Sequence, residues 1–76
     1  MNKKRRKKLN NAVEILEKAL QIVESSLDEE QDCLDNIPEN LESSDLYENI
    51  KNNIDYLEDA IVSIEEVINK IEEATL

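Results

Sequence analysis

Apolar residues recur at alternating spacings of four and three in two segments of the chain, and this periodicity limits the possible folds more than any other feature. Such a repeat is typical of α-helices that pack side by side at a shallow angle. We therefore predict two helices, at residues 4–35 and 45–74. The first series consists of Leu9, Val13, Leu16, Leu20, Val23, Leu27, Leu34 and Ile37, and the second of Tyr47, Ile50, Ile54, Leu57, Ile61, Ile64, Ile68 and Ile71.

The segment between the two helices, residues 36–44, has the composition of a short connection. Pro38 cannot continue the first helix, and Ser43, Ser44 and Asp45 are all residues that favour a helix start. The chain has no glycine and one proline, which disfavours a sheet protein with many turns. These features predict one all-α domain over residues 1–76, folded as an antiparallel two-helix hairpin that resembles a coiled coil.

The apolar face of each predicted helix is wider than one partner helix can cover. If Leu16 occupies heptad position d and Leu20 position a, the flanking g and c positions are small or apolar along much of both helices. The chain has one cysteine and no histidine, so neither a disulfide nor a common zinc site can supplement its small core. We therefore predict that two hairpins pair into a dimeric four-helix bundle, with a domain-swapped or longer coiled-coil arrangement as the alternative. The predicted self-association face consists of Ala12, Ile15, Ala19, Ile22, Ser26, Ala60, Val67 and Ala74.

Charge is divided unevenly along the chain. Six of the nine Lys and Arg residues form an unbroken basic segment at residues 3–8. The rest of the chain has three cations against all 19 Asp and Glu residues, a formal charge of −16. We expect the basic segment, which is Lys3, Lys4, Arg5, Arg6, Lys7 and Lys8, to neutralise the acidic end of the second helix at Glu65, Glu66, Glu72 and Glu73. The alternatives are contact with an acidic protein and contact with nucleic acid. The negative remainder of the chain and the lack of an aromatic residue beside the segment disfavour nucleic acid.

Carboxylates dominate the outward positions of both predicted helices. At the e positions, glutamates recur at heptad spacing along one edge of the apolar seam. One interpretation is a solvated surface that keeps the bundle soluble, and another is a rigid carboxylate array that occupies the nucleic-acid-binding groove of a different protein. The predicted acidic surface consists of Glu17, Glu24, Asp28, Asp32, Asp55, Glu58, Asp59, Glu65, Glu66, Glu72 and Glu73.

Two residues of the first helix, a charged one and a thiol, lie in or beside the seam. Glu30 occupies a d position in the seam, where we expect it to pair with Lys51 and to fix the register of the helices. Cys33 occupies a g position near the turn, where we expect a small, buried or half-buried side chain rather than a reactive thiol.

The composition excludes most common catalytic and ligand-binding sites. Without histidine there is no Ser-His or Cys-His pair, and without glycine there is no phosphate-binding loop, dinucleotide fingerprint or EF-hand. We therefore predict a protein that is not an enzyme and that has no catalytic, metal-binding or cofactor-binding residues. No apolar run is long enough for a signal peptide or a membrane span, so we expect a cytoplasmic protein without membrane contact.

Several short stretches resemble a known kind of protein. They are DNIPENL at residues 35–41, SDLYE at 44–48, LEDAI at 57–61 and IEEVI at 64–68. Together with the basic start, they resemble uncharacterised small acidic helical-hairpin proteins of bacteriophages and prophages of Gram-positive bacteria. The resemblance implies a phage context, in which small acidic proteins often block host defence proteins.

Two classes of function follow. The first is a phage-encoded inhibitor or adaptor, of the anti-CRISPR or another anti-defence type, that binds a host protein in the bacterial cytoplasm through its acidic surface. The second is a structural helical bundle protein whose only partner is a second copy of itself.

Overall fold

The protein is a pair of long helices packed side by side. In the computed structural model, which describes residues 1–76, α1 spans Lys3–Asp35 and α2 spans Asp45–Ala74, and the chain forms no strands. Each helix is about 45–50 Å long at a rise of about 1.5 Å per residue. The Cα atoms span only 60 × 15 × 13 Å, which is much shorter than the two helices laid end to end. The helices therefore lie side by side as an antiparallel hairpin. The predicted all-α hairpin fold is confirmed.

Each helix begins at a polar side chain that caps its first turn. Asn2 Oδ1 accepts a hydrogen bond from the backbone N–H of Arg5 at 2.8 Å, and Ser44 Oγ accepts one from the N–H of Tyr47 at 3.3 Å. Such caps satisfy N–H groups that have no partner within the helix. α1 begins at Lys3, one residue before the predicted start, because Asn2 is available as its cap.

The turn between the helices closes without any residue of positive φ, as suits a chain that has no glycine. α1 ends where the side chain of Asn36 donates a hydrogen bond to the carbonyl of Asp32 at 2.8 Å. Pro38 follows with φ −59° and ψ 145° and directs the chain away from the helix axis. A single 3₁₀ turn, Glu39–Leu41, then leads to the start of α2.

The seam between the helices follows the predicted heptad pattern. None of the apolar residues in the two series is exposed. Only Val13, Ile54 and Ile68 are buried, however, and the others are half-buried. No side chain is completely enclosed. Two packed helices therefore bring the apolar residues into contact, but they leave this core exposed to solvent along both long sides of the hairpin.

Candidate functional site

The two long sides of the hairpin are built from different heptad positions. An open groove of about 420 Å³ lies between the helices near the turn and is lined by Ser26, Glu29, Glu30, Asn53, Tyr56 and Leu57. Ser26 and Asn53 occupy g positions, while Glu29 and Tyr56 occupy c positions. The g and c positions of both helices therefore lie on one side of the hairpin. The e positions lie on the other side, because they flank the opposite edge of the seam.

The side formed by the g and c positions, called here the apolar side, exposes large hydrophobic residues. Ile15 and Ile22 of α1 are each 67% exposed, and Tyr56 of α2 is 73% exposed. Val67 is also exposed. Small half-buried residues separate these side chains, namely Ala12, Ala19, Ser26 and Ala60. All eight residues of the predicted self-association face thus lie on this side, with Ala74 at its end. An exposed apolar stripe of this kind is typical of a protein interface.

The opposite side, called here the acidic side, carries exposed carboxylates. Antiparallel packing places Glu17 of α1 near Glu65 of α2, and Glu24 near Glu58, so like charges lie across the seam from each other. Lys51, close to the turn, is the one cation at an e position of α2. Every residue of the predicted acidic surface is exposed. This side therefore favours a partner that supplies positive charge.

Glu30 is half-buried in the seam, as its d position predicts, but the prediction of Lys51 as its partner is wrong. Glu30 Oε2 accepts a hydrogen bond from Asn53 Nδ2 at 3.4 Å. Lys51 occupies an e position on the acidic side, where its Nζ lies 5.5 Å from the centroid of the Tyr47 ring. Sequence reasoning missed Asn53, although its g position borders the groove that Glu30 lines.

Cys33 is exposed, so the prediction of a buried or half-buried thiol is wrong for the hairpin. Its g position lies at the edge of the apolar side, where the hairpin has no third helix to cover it. The exposure of Cys33 therefore has the same physical origin as that of Ile15 and Ile22.

The basic segment forms no hydrogen bond with the acidic end of α2. Because Glu30 lies opposite Asn53, antiparallel counting places Glu72 and Glu73 level with residues 10–12, and Glu65 and Glu66 level with residues 17–19. No side-chain hydrogen bond joins residues 3–8 to a carboxylate. The Nε atom of Arg6 is enclosed without a hydrogen-bond partner. Direct pairing of the basic segment with these glutamates is therefore not seen within one hairpin, because α1 extends past their level, and neutralisation at longer range stays a prediction.

The structure shows no group of three or more His, Cys, Asp or Glu side chains placed to hold a metal ion. Neither helix combines the length and the apolar character needed to span a bilayer. The chain matches no protein-family model, no curated protein and no solved structure. The resemblance to phage proteins stays a prediction.

Proposed function

We propose that the protein is a non-catalytic binding module that pairs into a dimeric four-helix bundle and binds a host protein through its acidic side. The observation that carries this proposal is the separation of two faces on one hairpin. Ile15 and Ile22 stand exposed on one side, and exposed glutamates line the other. One face suits a second copy, and the other suits a basic partner.

The surface area of the hairpin supports the pairing of two copies. One chain exposes 5924 Å², whereas a compact monomer of this mass exposes about 4800 Å². A standard protein interface buries about 800 Å² on each partner. Pairing through the apolar side would remove most of the excess of about 1100 Å². It would also cover Ile15 and Ile22, each 67% exposed, and burying that exposed share would stabilise the assembly by roughly 1–2 kcal/mol per side chain.

The acidic side would remain in solvent after this pairing. Its glutamates repel one another across the seam, and a basic protein surface would relieve that repulsion while accelerating association. Many basic protein surfaces bind nucleic acid, so an acidic helical bundle can compete for such a groove. We therefore propose an inhibitor or adaptor of the phage anti-defence type, such as an anti-CRISPR protein, that acts in the cytoplasm of a bacterial host.

The alternative proposal is a purely structural bundle whose only partner is a second copy. The apolar side supports this function equally well, and the acidic side would then serve only solubility. Direct binding of nucleic acid through residues 3–8 fits less well, because the cations occupy one end of a chain that is otherwise strongly negative.

Capture from a bacterial lysate by the immobilised protein distinguishes the two proposals. An inhibitor or adaptor should retain one host protein in stoichiometric amount at about 0.15 M salt and release it at high salt, because exposed charges are screened. Replacing the three e-position glutamates of α2 with glutamine should abolish this capture without dissociating the dimer. The variant is Glu58→Gln/Glu65→Gln/Glu72→Gln.

A matched variant removes three carboxylates near the turn instead, and it should capture the host protein as the unmodified chain does. It is Asp35→Asn/Glu39→Gln/Glu42→Gln. If the unmodified protein captures nothing reproducibly, or if both variants capture equally, the acidic side is not a binding face. The structural bundle then becomes the better proposal.

A further inference from the structure

One line of residues along the apolar side of α1 is complementary to itself. The c positions hold Lys8, Ile15, Ile22 and Glu29 in turn, at intervals of seven residues. All four side chains are exposed in the hairpin. The line has a cation at one end, an anion at the other and two identical residues between them. It is therefore complementary to the same line running in the opposite direction.

We propose that α1 packs antiparallel against α1 of a second copy, so that Ile15 contacts the partner's Ile22 and Lys8 forms an ion pair with the partner's Glu29. The proposal rests on the dimer described above and adds the direction in which its two hairpins pair. The two-fold axis would pass close to Ala19. Because the neighbouring g positions hold Ala12 and Ser26, both small and half-buried, the two α1 backbones can approach closely.

The same register brings the basic segment beside carboxylates of the second copy, whereas within one hairpin it forms no hydrogen bond to a carboxylate. Matching Lys8 with the partner's Glu29 places residues 3–8 beside residues 29–34 of the second copy. That region carries Glu29, Glu30 and Asp32, and the chain has no Lys or Arg between Lys18 and Lys51. The ion pairs would form at both ends of the dimer, since the two-fold axis repeats each contact.

Pairing of two hairpins in the same direction lacks these contacts. The two basic segments would then lie together at one end of the bundle, and the two acidic turns at the other. Like charges brought together across an interface are unfavourable. In that arrangement α1 would also face α2 of the second copy, and the complementary line on α1 would have no counterpart.

Reversal of the charge at residue 8 tests the direction of pairing. Lys8→Glu should raise the Kd of the dimer about tenfold, because the reversal makes two exposed contacts repulsive at once. Lys7→Glu changes the net charge equally but lies at a b position away from the apolar side, and it should raise the Kd by less than about twofold. Sedimentation measures both constants, and circular dichroism verifies that each variant is helical.

Mixing two variants gives the deciding result. Lys8→Glu chains and Glu29→Lys chains should form mixed dimers in preference to either homodimer, with a Kd within about threefold of the unmodified protein. Residues 8 and 29 of one chain are about 32 Å apart along α1, so any recovery arises between chains. Native mass spectrometry with one variant labelled with ¹⁵N counts the mixed dimers.

Two results would overturn the antiparallel direction while leaving the dimer intact. One is equal weakening by Lys8→Glu and Lys7→Glu, and the other is a random distribution of mixed dimers. An unmodified protein that stays monomeric would instead overturn the dimer itself, so the two failures are distinguishable.

Discussion

Replacing Ile15 and Ile22 together with glutamate should convert the protein from a dimer into a monomer. Each side chain is 67% exposed in the hairpin, so neither contributes much to packing between α1 and α2. In the dimer, the change would place four carboxylates where four isoleucines were buried. Lost burial and the cost of burying charge should together raise the Kd by more than about 1000-fold. Size-exclusion chromatography with light scattering measures the mass of the variant.

A double substitution elsewhere on α1 controls for the added charge. Gln21→Glu/Ser25→Glu introduces the same residue type at exposed b and f positions, and this variant should remain a dimer. If Ile15→Glu/Ile22→Glu dimerises as tightly as this control, the apolar side is not the interface.

Replacing Ile68 with alanine should strongly destabilise the fold itself. Ile68 is 7% exposed and is one of only three buried residues. Truncating a buried isoleucine removes burial and leaves a cavity, which costs about 2–5 kcal/mol. Small domains are marginally stable, so a loss of this size should shift the midpoint of urea unfolding, followed by circular dichroism, far towards zero denaturant.

Val62→Ala is the matched comparison, because Val62 lies on the same helix but is 54% exposed. Its free energy of unfolding should change by less than about 0.5 kcal/mol. Similar losses for Ile68→Ala and Val62→Ala would mean that the seam between the helices lies elsewhere.

The parts of the fold that follow from periodicity could be predicted from the sequence. Spacings of three and four specify which face of each helix is apolar, and a connection that contains Pro38 forces the two helices to turn back on each other. The end of α1 at Asp35 and the start of α2 at Asp45 also follow from the sequence, because Pro38 stops the first helix and Ser44 caps the second.

Contacts between individual side chains could not be predicted in the same way. The heptad pattern places Glu30 in a layer of the seam. It does not specify which polar side chain of α2 forms a hydrogen bond with Glu30. Asn53 and Lys51 flank that layer on opposite sides, and the structure pairs Glu30 with Asn53. The Glu30 and Lys51 side chains each have many rotamers, so the choice between Lys51 and Asn53 as the partner of Glu30 depends on geometry that the spacing does not contain.

The surroundings of the basic segment depend on how the two helix ends align. The sequence suggests helices of similar length, which would bring residues 3–8 beside the glutamates of α2. In the structure the register set at Glu30 and Asn53 places Glu72 and Glu73 level with residues 10–12, just beyond the basic segment, and Glu65 and Glu66 about two turns further along α1. A shift of one helical turn moves a charge by about 5.4 Å, which is enough to separate an ion pair.

The mass of the unmodified protein in solution tests the central claim most directly. The claim is that one hairpin is half of a four-helix bundle, because its core is open along the apolar side. Sedimentation equilibrium at micromolar concentration should give twice the 8.8 kDa chain mass. A fully helical protein that sediments with the mass of a single 8.8 kDa chain over the same concentrations would contradict it.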